Sequence, residues 1–179
     1  MAGIDNKKTI TDGIKKAEML INATITSNLI NCCYNLLNTT DFAAEYHNVT
    51  GNTFTSYACA LYYNGKINSI IKAADFREKP TRVTLGIGEV YDLAQYYGGK
   101  AVGDKTYVGE TGHGGYYGVE AALNFIKSYQ PRCQNGYCIV MVAGTYYSEY
   151  LERSKNLNVL TETFMAAPSI LLNNLKPIK

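Results

Sequence analysis

From Thr9 to Leu37 the apolar positions Ile10, Ile14, Ala17, Ile21, Ile25, Leu29, Cys32 and Leu36 recur at spacings of three and four. That period is helical and predicts one amphipathic helix of about seven turns. Lys15, Lys16, Glu18, Asn22 and Ser27 supply much of its other face, and the NTTD run from Asn38 to Asp41 reads as its stop. Cys32 and Cys33 read as core and half-core residues of this helix, because a free thiol packs as a small hydrophobe. After HNVTGN (His47 to Asn52) the pattern changes. Two short apolar runs between Thr55 and Asp75 flank Asn64-Gly65, a dipeptide that tolerates positive φ at both turn positions and so predicts a β-hairpin.

A third strand is expected at Arg82 to Ile87, and Glu89 to Tyr97 fits either a helical turn or a further strand. Gly98 to Gly118 is about one-third glycine and carries neither period. Long structureless loops are uncommon in compact domains and are usually functional or mobile. Val119 to Tyr129 predicts a short helix ahead of Pro131, and a second Asn-Gly turn at Asn135-Gly136 ties a preceding segment to a strand at Ile139 to Ala143. A last helix is expected from Ser148 to Met165, open to interruption at RSKNLN (Arg153 to Asn158). Pro168 is expected to break it or start a new segment, leaving an apolar tail from Ser169. The predicted fold is α+β: a single domain over residues 1–179, with a long N-terminal helix packed on a small, mostly antiparallel sheet. A C-terminal helix completes it, and residues 86–129 form one long Gly/Tyr-rich insertion or arm.

A chain of 179 residues can bury a core without cross-links. The net charge of +2, from 17 basic and 15 acidic residues, gives no electrostatic reason to expect tight binding to nucleic acid or a membrane surface. No apolar run approaches the ~20 residues of a bilayer-spanning helix, and the polar start lacks the core of a secretory signal. The five cysteines are therefore expected to be reduced. Tyrosine occurs 16 times and tryptophan never, with pairs at Tyr62-Tyr63, Tyr96-Tyr97, Tyr116-Tyr117 and Tyr146-Tyr147. Tyrosine suits surfaces that partners cover and equally suits cross-strand pairs in a sheet. Both readings stand.

The candidates for chemistry are thin. His113 beside Glu110 suggests a general base on a Gly-rich lid, but no nucleophile elbow accompanies it, and it reads more simply as a solvated loop histidine. His47 reads as a loop or helix-end residue. Cys133 and Cys138 are spaced more widely than a zinc knuckle requires. Gly86-x-Gly88 lacks the third glycine of a dinucleotide fingerprint. Glu149 and Glu152 lie three apart near a helix start, where they favour the helix dipole. No catalytic residue, cofactor or metal is expected.

Three segments in order carry a resemblance: the long helix, NVTGNTFTSYACAL (Asn48 to Leu61), and VMVAGTYYSEYLERSKNLNVL (Val140 to Leu160). This order resembles the head–tail joining and tail-completion proteins of tailed bacteriophages. There an element of the form TGNLR-x-S opens the first strand, and YA-x-Y-V/L-E follows a later one. Thr50, Gly51, Asn52 and Ser56 match the first element, with Thr53 and Phe54 in place of its Leu-Arg. Tyr147, Tyr150, Leu151 and Glu152 match the second, with Ser148 in place of alanine. Gly86 to Tyr129 has no counterpart in that pattern.

The resemblance implies a non-enzymatic virion protein, made in the host cytoplasm, that forms a sixfold or twelvefold ring in the neck or upper tail. Its partners would be further copies of itself and neighbouring portal, connector or tail proteins, with no membrane and no sequence-specific nucleic-acid contact. The implied assembly contacts are Tyr116, Tyr117, Tyr147, Tyr150 and Glu152. Tyr147 and Tyr150 would cover the sheet end, and Glu152 would hydrogen-bond a neighbouring backbone or side chain. The Gly-rich stretch would be an arm that orders on assembly. Two rival readings are a cytoplasmic module that binds a peptide along a strand edge and a small hydrolase or transferase using His113 and Glu110.

Overall fold

The computed structural model describes residues 6–43, 52–77, 90–92, 106–108, 117–145 and 147–175. In chain order the elements are α1 (Asn6–Ala43), a one-turn α2 (Asn52–Thr55), β1 (Tyr57–Tyr63), β2 (Lys66–Lys72) and a 3₁₀ turn (Ala73–Asp75). There follow β3 (Val90–Asp92), β4 (Thr106–Val108), α3 (Tyr117–Ser128), β5 (Tyr137–Ala143), α4 (Ser148–Lys155) and α5 (Thr161–Asn174). The fold is α+β, with the long N-terminal helix on a three-stranded antiparallel sheet and a C-terminal helix beside it.

β1 is the middle strand of the order β2-β1-β5 and is antiparallel to both neighbours. The β1–β2 turn has Asn64 at φ 49° and Gly65 at φ 74°, the left-handed pair that matches the twist of a tight hairpin. The second Asn-Gly turn docks on the first. Asn64 N–H donates to the Gly136 carbonyl at 2.8 Å, and Gly136 N–H donates to Asn64 Oδ1 at 2.8 Å. The segment tied to β5 is thus the hairpin tip.

Both faces of β1 are covered. Tyr57, Cys59 and Leu61 pack with Cys32, Cys33, Leu36 and Leu37 of α1. Ala58, Ala60 and Tyr62 pack with Ala122 and Ile126 of α3. The buried phenols are satisfied on opposite sides: Tyr57 Oη donates to the Val159 carbonyl at 3.2 Å and Tyr62 Oη to the Ile126 carbonyl at 2.7 Å. At the end of the ladder Tyr63 and Tyr137 are cross-strand partners with ring centroids 4.7 Å apart. These tyrosines serve the sheet; the pairs at Tyr96-Tyr97 and the residues Tyr116 and Tyr146 lie outside the described residues.

Several boundaries differ from the sequence pattern. The NTTD run does not stop α1. Thr39 and Thr40 return their hydroxyls to the carbonyls of Asn35 (2.9 Å) and Leu37 (2.7 Å) of the same helix, a back-bond that lets such residues remain helical. The Gly-rich stretch contains a strand, since Thr106, Tyr107 and Val108 of β4 pair antiparallel with Asp92, Tyr91 and Val90 of β3. The expected strand at Arg82 to Ile87 lies outside the described residues. The last helix is two helices, with Asn156 at φ 52° closing α4. Pro168 lies inside α5 rather than ending it. Ala167, Ile170 and Leu171 around it pack on the core, and tertiary packing carries the helix past the missing N–H.

Gly144, just beyond β5, marks a close approach between the sheet and α3. A Cβ there would lie 1.8 Å from the Gly118 carbonyl oxygen and 2.7 Å from the Ala122 nitrogen. Both obstacles are backbone of the α3 start. Gly144→Ala is therefore expected to destabilise the fold by about 3 kcal/mol, read as a lowered urea midpoint. An unshifted midpoint would show that the two backbones separate freely.

Candidate functional site

The chain leaves the sheet at Ala143 and turns into the α4–α5 corner. Gly144 N–H donates to the Ser56 carbonyl at 3.2 Å, which keeps the exit in register with β1. The buried Thr145 shares a hydroxyl hydrogen bond with Ser148, and Ser148 N–H donates to the Thr145 carbonyl at 3.1 Å. α4 starts from that turn. Tyr147 lies against α2, its phenol accepting a hydrogen bond from Thr53 Oγ1 at 3.0 Å. Tyr150 points to solvent, 52% exposed, with the Lys155 ammonium 5.6 Å from its ring centroid. Glu149 pairs with Arg153 at 2.9 Å on the exposed side of the helix, where such a pair adds little.

Glu152 points the other way. Its Oε2 accepts the N–H groups of Val159 and Leu160, both at 2.8 Å, and its Oε1 accepts the N–H of Thr161 at 3.0 Å. Asn158 Oδ1 takes the next one, Glu162 N–H, at 3.1 Å. The first N–H groups of a helix have no intrahelical acceptor and carry its positive dipole end, so one carboxylate from α4 completes the start of α5. Partial burial raises the Glu152 pKa. The Thr161 hydroxyl and the N–H groups of Leu160, Thr161 and Val159 outweigh that and hold it below the ordinary glutamate value.

Beside this cap is an open cleft of about 650 Å³, lined by Ala143, Thr145, Glu152, Val159, Leu160 and Phe164 among others. Phe164 at its rim is 80% exposed and the adjacent Met165 73%. The carboxylate facing the cleft is directed onto backbone amides, which leaves it poorly disposed to take a proton from a substrate. Among the described residues no cluster of His, Cys, Asp and Glu is arranged to hold a metal ion, and no helix is long and apolar enough to cross a membrane. Cys133 and Cys138 are both free; burial, followed by a hydrogen bond with Cys133, pushes the Cys138 thiol up to about 11.

Of the five expected contact residues, the structure brings Tyr147, Tyr150 and Glu152 together on one short helix and its cap. Tyr116 lies outside the described residues, and Tyr117 opens α3. His47, Glu110 and His113 also lie outside the described residues. The backbone that Glu152 reaches belongs to its own chain, and the dipole it serves is that of α5 rather than α4.

Arg77 is the residue that the sequence pattern did not single out. Its guanidinium donates to the Phe54 carbonyl at 2.7 Å, to Thr40 Oγ1 at 2.6 Å and to the Leu37 carbonyl. It also lies over the rings of Phe54 and Tyr57, 4.6 and 5.3 Å from their centroids. One side chain thus ties the last turns of α1 to α2 and β1. Its partners are distant in sequence, so no local spacing announces it.

Comparison with family models, with curated proteins and with solved structures finds no match.

The lowered pKa of Glu152 fixes the sign of a pH effect. A carboxylate favoured in the folded state stabilises it fully above the unfolded pKa and loses that contribution as pH falls through the folded value. Glu152→Gln is expected to cost about 2 kcal/mol at neutral pH and to flatten the acid limb of the stability curve, measured by urea unfolding from neutral pH down through the carboxylate range. Equal acid sensitivity in both proteins would assign the effect to other carboxylates.

Proposed function

We propose that this chain is a structural subunit of a tailed-phage virion, forming a ring in the neck or upper tail that joins head to tail. The observation that carries this reading is the α4–α5 corner. The segment from Tyr147 to Glu152, which resembles the exit motif of head–tail joining proteins, is built as a capped helix pair beside an open cleft. Around it Tyr150, Phe164 and Met165 are turned to solvent. Phe164 lines the rim of the cleft, while Tyr150 and Met165 are exposed without lining it. An exposed apolar side chain at a cleft marks an interaction surface more often than an isolated one does. A corner held by its own carboxylate presents that rim rigidly, which lowers the entropic cost of association.

In this reading Tyr147 braces the corner, Glu152 holds α5 in place and Tyr150 contacts the neighbour. Tyr116 and the Gly-rich stretch before it form the arm that reaches the next subunit or a portal, connector or tail protein, and Tyr117 ends that arm where α3 begins. DNA passes through the ring without sequence-specific contact. A second reading has one observation in its favour. β2 and β5 flank the sheet, and among the described residues neither pairs a strand on its outer side, which suits a module that adds a peptide strand.

Deleting Gly99 to Gly115 is expected to leave the far-ultraviolet circular dichroism and thermal transition of the core in place while abolishing ring formation in negative-stain images. Rings that form without the segment would remove the arm from the proposal. A protein that stays monomeric at every concentration and on its portal, yet captures an extended peptide, would favour the second reading.

A further inference from the structure

Asparagine followed by glycine, as at Asn64-Gly65 and Asn135-Gly136, is chemically labile. The glycine nitrogen loses its proton to base and attacks the asparagine Cγ. The new N–Cγ bond closes a succinimide ring, and the side-chain nitrogen leaves as ammonia. Water then opens either ring carbonyl, giving aspartate or isoaspartate, the second with an extra methylene in the backbone. Glycine favours the step because no Cβ hinders its nitrogen and its backbone turns freely into the attacking geometry. Water and hydroxide are the only co-reactants.

Gly136 stands at φ 79°, a conformation that suits glycine above other residues. The turn therefore requires the glycine, and the reactive pair comes with it. Asn135 before it is exposed to water. The fold sets the other Asn-Gly turn against this one. Gly136 N–H donates to Asn64 Oδ1 and Asn64 N–H donates to the Gly136 carbonyl, both at 2.8 Å. Gln134 adds packing: its Nε2 donates to the Pro131 carbonyl at 2.7 Å, and its Oε1 lies where a Cβ on Gly65 would approach within 2.6 Å.

The nitrogen that would attack Asn135 is that of Gly136, and its proton is the one that Asn64 holds. We propose that Asn135-Gly136 is a modification site, converting to isoaspartate or aspartate through a succinimide, and that the Asn64 carboxamide gates it by binding the Gly136 N–H. Conversion proceeds from the open joint, so its rate is that of a free peptide multiplied by the fraction of time the two turns are apart.

Asn64 carries the same chemistry with Gly65, which couples the two sites. Aspartate at position 64 keeps an oxygen for Gly136 N–H. Isoaspartate at position 64 lengthens the backbone, displaces that oxygen and releases Asn135. The joint at stake holds three elements, because Tyr137, the next residue, shares a hydroxyl hydrogen bond with Thr26 of α1 at 2.9 Å. The inference rests on the turn geometry and stands apart from the connector reading.

Peptide mapping of the full-length protein by mass spectrometry tests it, after incubation in mildly alkaline buffer. Conversion at position 135 is read from the mass gain of amide to acid. Asn64→Gly tolerates the left-handed φ of its turn but loses the acceptor, and is expected to speed conversion at Asn135 about threefold to tenfold, the worth of one hydrogen bond. Asn64→Asp supplies an acceptor at the same place and is expected to convert no faster than the wild type. Hydrogen exchange of the Gly136 amide, followed by NMR, is expected to accelerate in Asn64→Gly by a similar factor, since both reactions take the proton from that nitrogen. The guanidinium-unfolded chain is expected to convert fastest. Should Asn64→Gly fail to fold, Asn64→Asp against the wild type and the unfolded chain decides the matter. Equal conversion in Asn64→Gly and the wild type, conversion in folded Asn64→Asp well above the wild type, or a folded wild type that converts as fast as the unfolded chain would each overturn the proposal.

Discussion

The rest of the structure depends on β1 having no free side. Both its edges are hydrogen-bonded and both its faces are covered, and each neighbouring element is positioned by one of those four contacts. Alternation along the strand divides the work. Odd-numbered Tyr57, Cys59 and Leu61 hold α1, while even-numbered Ala58, Ala60 and Tyr62 hold α3. The two alanines leave room for a helix to lie close, and Gly144 extends that closeness to backbone on backbone. The phenols of Tyr57 and Tyr62 reach past the sheet in opposite directions to carbonyls at Val159 and Ile126. A buried strand of this kind sets the relative placement of α1 and α3, which lie on its opposite faces.

From that frame the polar groups with the greatest consequence work at helix ends. Arg77 gathers acceptors from the last turns of α1 and from α2, where a cation is favoured by the negative end of the helix. Glu152 does the converse at the positive end of α5. Each satisfies backbone groups that would otherwise need water, and each joins elements that the sheet alone would leave independent. The result is a firm corner at one end of the domain and a helix projecting from the other. Apolar side chains are exposed at both.

The hairpin, the long helix and the exit of β5 were legible from the sequence because each is a local matter. Asn64-Gly65 selects a turn by its own φ preferences, and apolar spacing selects helix or strand within a few residues. What covers the stripe of α1 was not legible. The periodicity of Ile10 to Ile21 and that of Ile25 to Leu36 look alike, yet only the second has a sheet beneath it. Pro168 misleads for a similar reason, since its local cost is overruled by Ala167, Ile170 and Leu171 packing on the core.

The candidate site divides along the same line. The sequence by itself determined that Tyr150 and Glu152 lie on a helix that begins just after Tyr147, where the chain leaves a strand. It could not determine their directions, because a helix sends neighbouring side chains to different faces and only the surroundings distinguish those faces. Tertiary structure decided that Tyr147 meets Thr53, that Tyr150 meets water, and that the Glu152 carboxylate meets the amides of Val159, Leu160 and Thr161. It likewise decided the role of Arg77, whose acceptors are 23 to 40 residues away along the chain. Periodicity records which face of an element is apolar; hydrogen bonds between segments distant in sequence arise only when the chain has closed on itself.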